Sequence, residues 1–350
     1  MNPVRIGLIG SGYMGRTYAE CLRRYTSHAT LAGVTGGSRA PTLARDYDVS
    51  SFASVEALLQ SPTVDAVLIS SPHSAHRQQV MDAAATGKHV LVEKPMALHA
   101  GECDEMIAAC ARAGVVLSVI QTNRFRGSVA RGKRLIDEGR LGQVRMIQLR
   151  ALFEWMPYDG TAEKGHKSWP IDPAEGGLIL DHGVHSFDFL RWYAGAEARR
   201  VFGRVVAYGP GKYPFPTAMA QIEFANGVLA QHWMSFELPR PGVQNSQFRA
   251  LVIGENGMLD IDSYGKLQGA LEGRGWELLW EQPAIDFVNK PLAPERLEAF
   301  YTQVQDFIDA IREHRPPAVT GEDGRAAIAL IDAVRQSSAS GQAVALSPQG

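Results

Sequence analysis

Four stretches carry residue types at spacings that can do chemistry. In Gly10-Ser11-Gly12-Tyr13-Met14-Gly15 the glycines stand at G-x-G-x-x-G. Gly10 permits a tight turn, Gly12 lets the backbone approach phosphates, and Gly15 lets a helix pack closely on a strand. A helix opening there aims its free N–H groups at a pyrophosphate, with Tyr13 and Met14 in the same turn. Glu93-Lys94-Pro95 follows the apolar run His89–Val92. Open parallel sheets bind ligands beyond the carboxyl ends of their strands. A Lys94 ammonium placed there can donate to a substrate oxygen and stabilise a developing alkoxide. Ser70-Ser71-Pro72-His73-Ser74-Ala75-His76 follows another apolar run. Ser71, Pro72, His73 and His76 can line a cofactor, while Ser74 suits the N-cap of the next helix. In the run from Gly176-Gly177 through Asp181 and His185 to Asp188, Asp181 and His185 are four apart. They share a face if the stretch is helical. A carboxylate beside an imidazole orients it and favours its protonated form, which suits a general base taking a hydroxyl proton. The same spacing serves equally well for a helix cap and a core histidine.

These groups need elements to position them. Val4–Ile9 is long enough for a buried strand and too short for a helix. The periodicity predicts a helix over 16–25, with Tyr18, Cys21, Leu22 and Tyr25 on one face. Further strands are expected at Ala29–Thr35, 65–70, His89–Val92 and 115–120. Helices are expected at 41–47, at Val55–Leu59 behind the cap Ser54, at 75–86 ending at Gly87, and at 100–113 ending at Gly114. This is βαβ logic with a parallel sheet, and it assigns residues 1–121 to one doubly wound dinucleotide-binding domain. From 122 to 350 the pattern changes. One helix, 129–137, precedes strands at 144–153, 201–208, 218–224, 228–237 and 248–253. Hairpin turns are expected at Asn226-Gly227 and Glu255-Asn256-Gly257. A helix over 185–193 should lie on this sheet, and helices over 295–313 and 323–340 close the chain on either side of Pro316-Pro317. The expected fold class is α/β. An N-terminal Rossmann domain is followed by a C-terminal α+β domain with a large open, mostly antiparallel sheet.

A chain of 350 residues has room for those two domains. Its 45% apolar and 21% charged residues place it with ordinary globular proteins. A net charge of −2 gives no footprint for nucleic acid or an anionic membrane. No apolar run reaches the length of a membrane span. The first expected strand begins at Val4, which leaves no room for a signal peptide. Cys21, Cys103 and Cys110 lack metal or redox spacing, so no metal site and a reducing, cytoplasmic compartment are expected.

Taken in order, the glycine turn, Glu93-Lys94-Pro95 and the Gly176-Gly177 … Asp181 … His185 … Asp188 run resemble the Gfo/Idh/MocA oxidoreductase family. The resemblance extends through Asn123-Arg124-Phe125 and Val319-Thr320-Gly321-Glu322-Asp323-Gly324, so it covers essentially the whole chain. It implies NAD(P)-dependent oxidation or reduction of a sugar, polyol or related cyclic alcohol. Lys94, Asp181 and His185 match the family's catalytic lysine, aspartate and histidine. Glu93 and Lys94 match its cofactor-contacting pair, and Asn123 joins them. The resemblance also implies a cis bond at Lys94-Pro95 and a second domain used for oligomer contacts, hence a homodimer or homotetramer. Arg124, Trp155, His166 and Trp169 fall in segments expected to border the substrate, with Lys94, Asp181 and His185, since aromatic faces suit sugar rings. An alternative is a glycosidase with tightly held NAD that oxidises, eliminates, hydrates and re-reduces. A further one is a cofactor-sensing binding protein, against which the intact Lys94, Asp181 and His185 argue.

One departure concerns the cofactor. Many members end the second strand in Asp, which holds the adenosine ribose hydroxyls. Here Ala32-Gly33-Val34-Thr35 runs into Gly36-Gly37-Ser38-Arg39 without a carboxylate. Ser38 and Arg39 can bind a 2′-phosphate, which favours NADP over NAD.

Overall fold

Four short apolar runs pair side by side into the sheet that carries the glycine turn. The computed structural model describes residues 2–154, 172–209, 215–243 and 247–346. These fall into two compact units, Met1–Phe125 with Ile285–Arg325 and Arg126–Ala284 with Ala326–Gly350.

The first unit contains strands β1 (Val4–Ile9), β2 (Ala29–Thr35), β3 (Ser50–Ser51), β4 (Ala66–Ile69), β5 (His89–Val92) and β6 (Leu117–Val119). They form a parallel sheet in the order β3-β2-β1-β4-β5-β6. β4 is buried at all four residues, as expected of a strand covered on both faces. Its helices are α1 (Tyr13–Arg24), α2 (Ala40–Asp46), α3 (Val55–Leu59), α4 (His73–Ala85) and α5 (Ala100–Ala113). Ser54 caps α3, its hydroxyl accepting from Ala57 N at 3.1 Å. The expected cap at Ser74 is not formed. α4 opens two residues earlier, with Pro72 in the cap position and no side-chain cap bond.

The unit does not end at 121, where the sequence pattern changes. Helix α9 (Pro294–Glu313) returns to pack on α1. Its Val304, Phe307 and Ile308 are buried in one core with Tyr18, Leu22, Leu8 and Leu91. The stretch Val319-Thr320 pairs beside β6, Ser118 Oγ donating to Val319 O at 2.8 Å. Helix α10 (Gly321–Ser340) then starts with a capping box, in which Asp323 accepts from Thr320 N at 2.9 Å and Thr320 Oγ1 from Asp323 N at 3.3 Å.

The second unit holds α6 (Gly127–Asp137), α7 (Gly177–Asp181), α8 (Gly183–Ala194) and most of α10. Its strands are β7 (Val144–Glu154), β8 (Ala198–Val206), β9 (Thr217–Phe224), β10 (Leu229–Leu238), β11 (Phe248–Gly254), β12 (Gly257–Asp262), β13 (Lys266–Leu271), β14 (Glu277–Glu281) and β15 (Val344–Ala345). They form a nine-stranded sheet, β14-β13-β12-β11-β7-β10-β9-β8-β15. Only the β7–β10 pair is parallel. Alternation along the strands buries one face under α8, where Phe189 meets Phe248 and Phe187 meets His232. The other face leaves Met146, Phe202, Met219, Leu229 and Trp233 exposed. No helix among the described residues is long and apolar enough to cross a membrane.

Candidate active site

The strand ends bring the first three chemical groups to one level of one sheet. Ile9, Ile69 and Val92 are register partners across β1, β4 and β5, so Gly10, Ser70 and Glu93 leave the sheet side by side. Ser70 N donates to Ile9 O at 2.8 Å and Glu93 N to Ile69 O at 2.9 Å. The gap between β1 and β4 is where the strand order reverses, the place for a dinucleotide in such sheets.

The glycines divide the work as their spacing requires. Gly10 has φ +118°, and a Cβ there would lie 2.5 Å from Ser70 O. A Cβ on Gly15 would lie 2.2 Å from Gly10 O, so α1 packs against the turn itself. Gly12 is different. A Cβ there would meet nothing nearer than Arg39 Nη2 at 3.8 Å, which leaves open space over the start of α1. That cradle fits the pyrophosphate of NAD(P): free N–H groups at a helix start and no side chain in the way. Tyr13 is exposed and Met14 partly so, while Ser11 Oγ ties the turn to Gly36 O at 2.7 Å. Ser38 and Arg39 lie exposed after β2, and the Arg39 guanidinium has no hydrogen bond or ion pair among the described residues.

Behind the turn the sheet carries a buried polar connection that sequence reading does not show. Tyr18 Oη, on α1, donates to Glu93 Oε1, and Glu93 Oε2 accepts from Lys94 N at 2.9 Å. Burial, and then the Glu93 charge, push the Tyr18 hydroxyl well above its usual range, so it stays a donor. The pair is 75 residues apart, and only the packing of α1 on β5 brings it together. Burial likewise pushes the Cys21 thiol up to about 12, leaving it unreactive. The Lys94-Pro95 bond is cis. His76, fully buried, places Nδ1 at 2.9 Å from Pro95 O and Nε2 at 3.0 Å from Ser71 O, so one ring ties the two strand-end loops. A neutral imidazole can donate only one of these two bonds. His73 is also buried, 5.9 Å ring to ring from His76, while Ser71 Oγ donates to Gln79 Oε1 at 2.6 Å.

Asn123 and Arg124 are buried. The Arg124 guanidinium pairs with Asp323 at 3.1 Å and donates to Ala318 O at 3.2 Å, so it anchors the segment before α10. The same interactions explain the tail motif: Val319 pairs with β6, Thr320 and Asp323 cap α10, and Asp323 holds Arg124.

In the second unit the run from Gly177 is helical on both sides of a break at His182. α7 ends at Asp181, His182 takes φ −104° and ψ −33°, and α8 starts at Gly183. Gly176 opens the segment at φ +87°, where a Cβ would strike Leu180 at 2.3 Å. Asp181 is buried, and its Oδ2 lies 2.9 Å from His182 Nδ1, off the angle of a hydrogen bond. His182 is thus a site candidate that the i, i+4 argument overlooked. Its ring stands edge-on to Phe236 at 4.4 Å, and Phe236 stacks on Phe153 at 4.4 Å. His185 sits in the first turn of α8, partly exposed, its N–H donating to His182 O at 3.1 Å. Trp155, His166 and Trp169 lie outside the described residues.

A phosphate cradle at the switch point of such a sheet defines a dinucleotide-binding Rossmann protein, here joined to a sheet-rich second unit. The sequence comparisons agree and go further. Residues 4–121 match the model of an oxidoreductase family with an NAD-binding Rossmann fold, and residues 133–346 match that family's C-terminal α/β domain. The chain belongs to the Gfo/Idh/MocA oxidoreductase family. It is 30% identical over 347 residues to the 1,5-anhydro-D-fructose reductase of Ensifer adhaerens, covering 97% of each chain. It is 27% identical to the myo-inositol 2-dehydrogenase of Thermotoga maritima, covering 95% of this chain and 96% of that one. Among solved structures it superposes on the aldose-aldose oxidoreductase of Caulobacter crescentus with a TM-score of 0.83, at 24% identity and over 99% and 100% of the two chains.

Proposed function

We propose that this oxidoreductase moves a hydride between NAD(P) and a hydroxyl or keto carbon of a sugar, polyol or related cyclic alcohol. The observation that carries this is the level sheet edge, where the open Gly12 cradle leaves β1 and Lys94 leaves β5, on either side of β4, in a family member whose relatives are sugar and polyol enzymes. Bound there, the nicotinamide would supply the hydride acceptor or donor. The chain's own part is binding and proton handling. Gly10, Gly12 and Gly15 leave room for the pyrophosphate, and residues 71–76 border it. Lys94 polarises the reacting oxygen, and its positive charge favours the alkoxide. His185 takes the hydroxyl proton and Asp181 orients the imidazole. The unpaired Arg39 beside Ser38 favours the 2′-phosphate of NADP. A second copy of the chain covers the exposed apolar face of the large sheet, giving a homodimer or homotetramer, with sedimentation analysis as the check.

The test is a panel of free sugars and polyols followed by NAD(P)H absorbance. Net cofactor turnover supports the reading; glycoside cleavage without net turnover would move the assignment to the redox-neutral glycosidase. Among variants, His185→Ala should slow turnover by about 10²–10⁴-fold and remove the acid limb of the oxidation profile. If His182→Ala removes that limb instead, the imidazole beside Asp181 is the proton carrier. Arg39→Ala should weaken NADP more than NAD, a charge-assisted contact being worth about 1.5–3 kcal/mol.

A further inference from the structure

The strands of the first unit have a second end, opposite the cofactor cradle. At their amino ends a cleft of about 760 Å³ is lined by Val4, Arg5, Asp65, Lys88, Arg312 and His314, with His89 at its edge. Among the described residues Asp65 is its only lining carboxylate, in a protein whose net charge is −2. That carboxylate is already matched. Arg5 holds both its oxygens, at 2.9 and 2.7 Å. Lys88 is occupied as well, donating to Val64 O at 2.7 Å and Ser61 O at 3.2 Å.

Three donors remain uncommitted. The Arg312 guanidinium has no hydrogen bond or ion pair among the described residues, and its Nε is buried without a partner. An unmatched guanidinium nitrogen inside a protein costs free energy unless something accepts from it. His314 ends α9 in the left-handed region at φ +53°, exposed, with no side-chain partner among the described residues. His89 Nδ1 accepts from Val116 N at 3.0 Å, so in the neutral ring the proton is on Nε2, which becomes a donor. The His89 imidazole is held below its usual range, first by burial, while Asp65 pulls it up and His314 pushes it down.

We propose that this cleft binds a phosphate group, with Arg312, His314 and His89 Nε2–H as its donors. A guanidinium fork matches two phosphate oxygens, and the volume lies within the ordinary range for small-molecule sites. Val4 and Ile311 give the cleft an apolar edge that a phosphate monoester's organic part can cover. The reading is independent of the dinucleotide site, which lies at the other ends of the strands.

The probe is inorganic phosphate, added to the full chain saturated with NAD(P)H, with the imidazole signals of His89 and His314 followed by NMR. Saturable shifts of both signals are expected. Arg312→Gln should weaken the binding at least about tenfold. His314→Asn, which suits the left-handed backbone, should weaken it as well, and Arg39→Ala should leave it unchanged. The proposal is overturned if the shifts are absent or are matched by chloride at equal ionic strength. It is also overturned if phosphate binds both cleft variants as well as it binds the natural protein.

Discussion

At the scale of single residues, the connection from Tyr18 through Glu93 to Lys94 N sets how the lysine loop is held. A buried carboxylate that loses a donor pays a desolvation penalty, about 1.5–3 kcal/mol for a hydrogen bond to a charged group. Tyr18→Phe removes that donor while keeping the ring in the core. We expect a lower melting temperature and a fall of roughly tenfold in kcat, about 1.4 kcal/mol, since the loop carrying Lys94 loosens. Steady-state kinetics beside a thermal melt decide it. Full activity in a fully folded variant would show that Tyr18 only fills space.

At the scale of elements, the phosphate turn contains two kinds of glycine. Gly15 is closed by backbone, and Gly12 faces open space. Gly15→Ala should destabilise the unit, because no side chain can move away from a carbonyl 2.2 Å distant. Gly12→Ala should melt close to the natural protein and yet bind NAD(P) poorly, since the added methyl occupies the approach to the pyrophosphate. Melting curves with and without cofactor separate the two, and equal melting losses would refute the division. Strand β10 holds a different cost. His232 is fully buried, neither ring nitrogen has a hydrogen-bond partner among the described residues, and burial lowers its pKa to about 3. An unfolded chain protonates this residue near 6.5 and the folded one near 3. Between those values the unfolded state binds more protons, so stability falls as pH drops, by about 1.4 kcal/mol per pH unit. Above 6.5 the group contributes no pH dependence. His232→Leu should flatten that slope and stabilise the protein at neutral pH, by about 1–3 kcal/mol for the unmatched polar atoms removed. Urea midpoints measured on both sides of the histidine range are the check.

At the scale of the whole molecule, the returning segment decides what folds alone. A cut near Gln121 follows the change in sequence pattern, but it discards α9. That helix supplies Val304, Phe307 and Ile308 to the core, and Gln303 bonds to Gln121 N at 3.1 Å and Val119 O at 2.8 Å. Residues 1–121 alone should therefore aggregate or bind hydrophobic dyes. Residues 2–125 joined by a short linker to 285–325 should be soluble and bind NAD(P) without turnover, because Asp181 and His185 belong to the other unit. Gel filtration and cofactor titration of both pieces test this. A soluble, cofactor-binding 1–121 would show that α9 is dispensable.

The sequence by itself determined what local rules control. The apolar runs at Val4–Ile9, 65–70 and His89–Val92 are short and continuous, which specifies buried parallel strands. The glycine spacing specifies the turn, Gly114 ends α5 in the left-handed region, and Asn226-Gly227 joins β9 to β10. Only the tertiary structure decided the rest, because it depends on residues far apart in the chain. Tyr18 finds Glu93 and Arg124 finds Asp323 only through the packing of α1 and the return of the chain beside β6. A helix through Asp181 and His185 is only a condition of their sharing a face, and the chain breaks it at His182. Four-residue spacing describes a continuous helix and carries no signal of an interruption within it. Arg39 is legible in the sequence as a cation. That it stands unpaired, 3.8 Å from where a Cβ of Gly12 would lie, follows from the way the loop after β2 folds back over the turn.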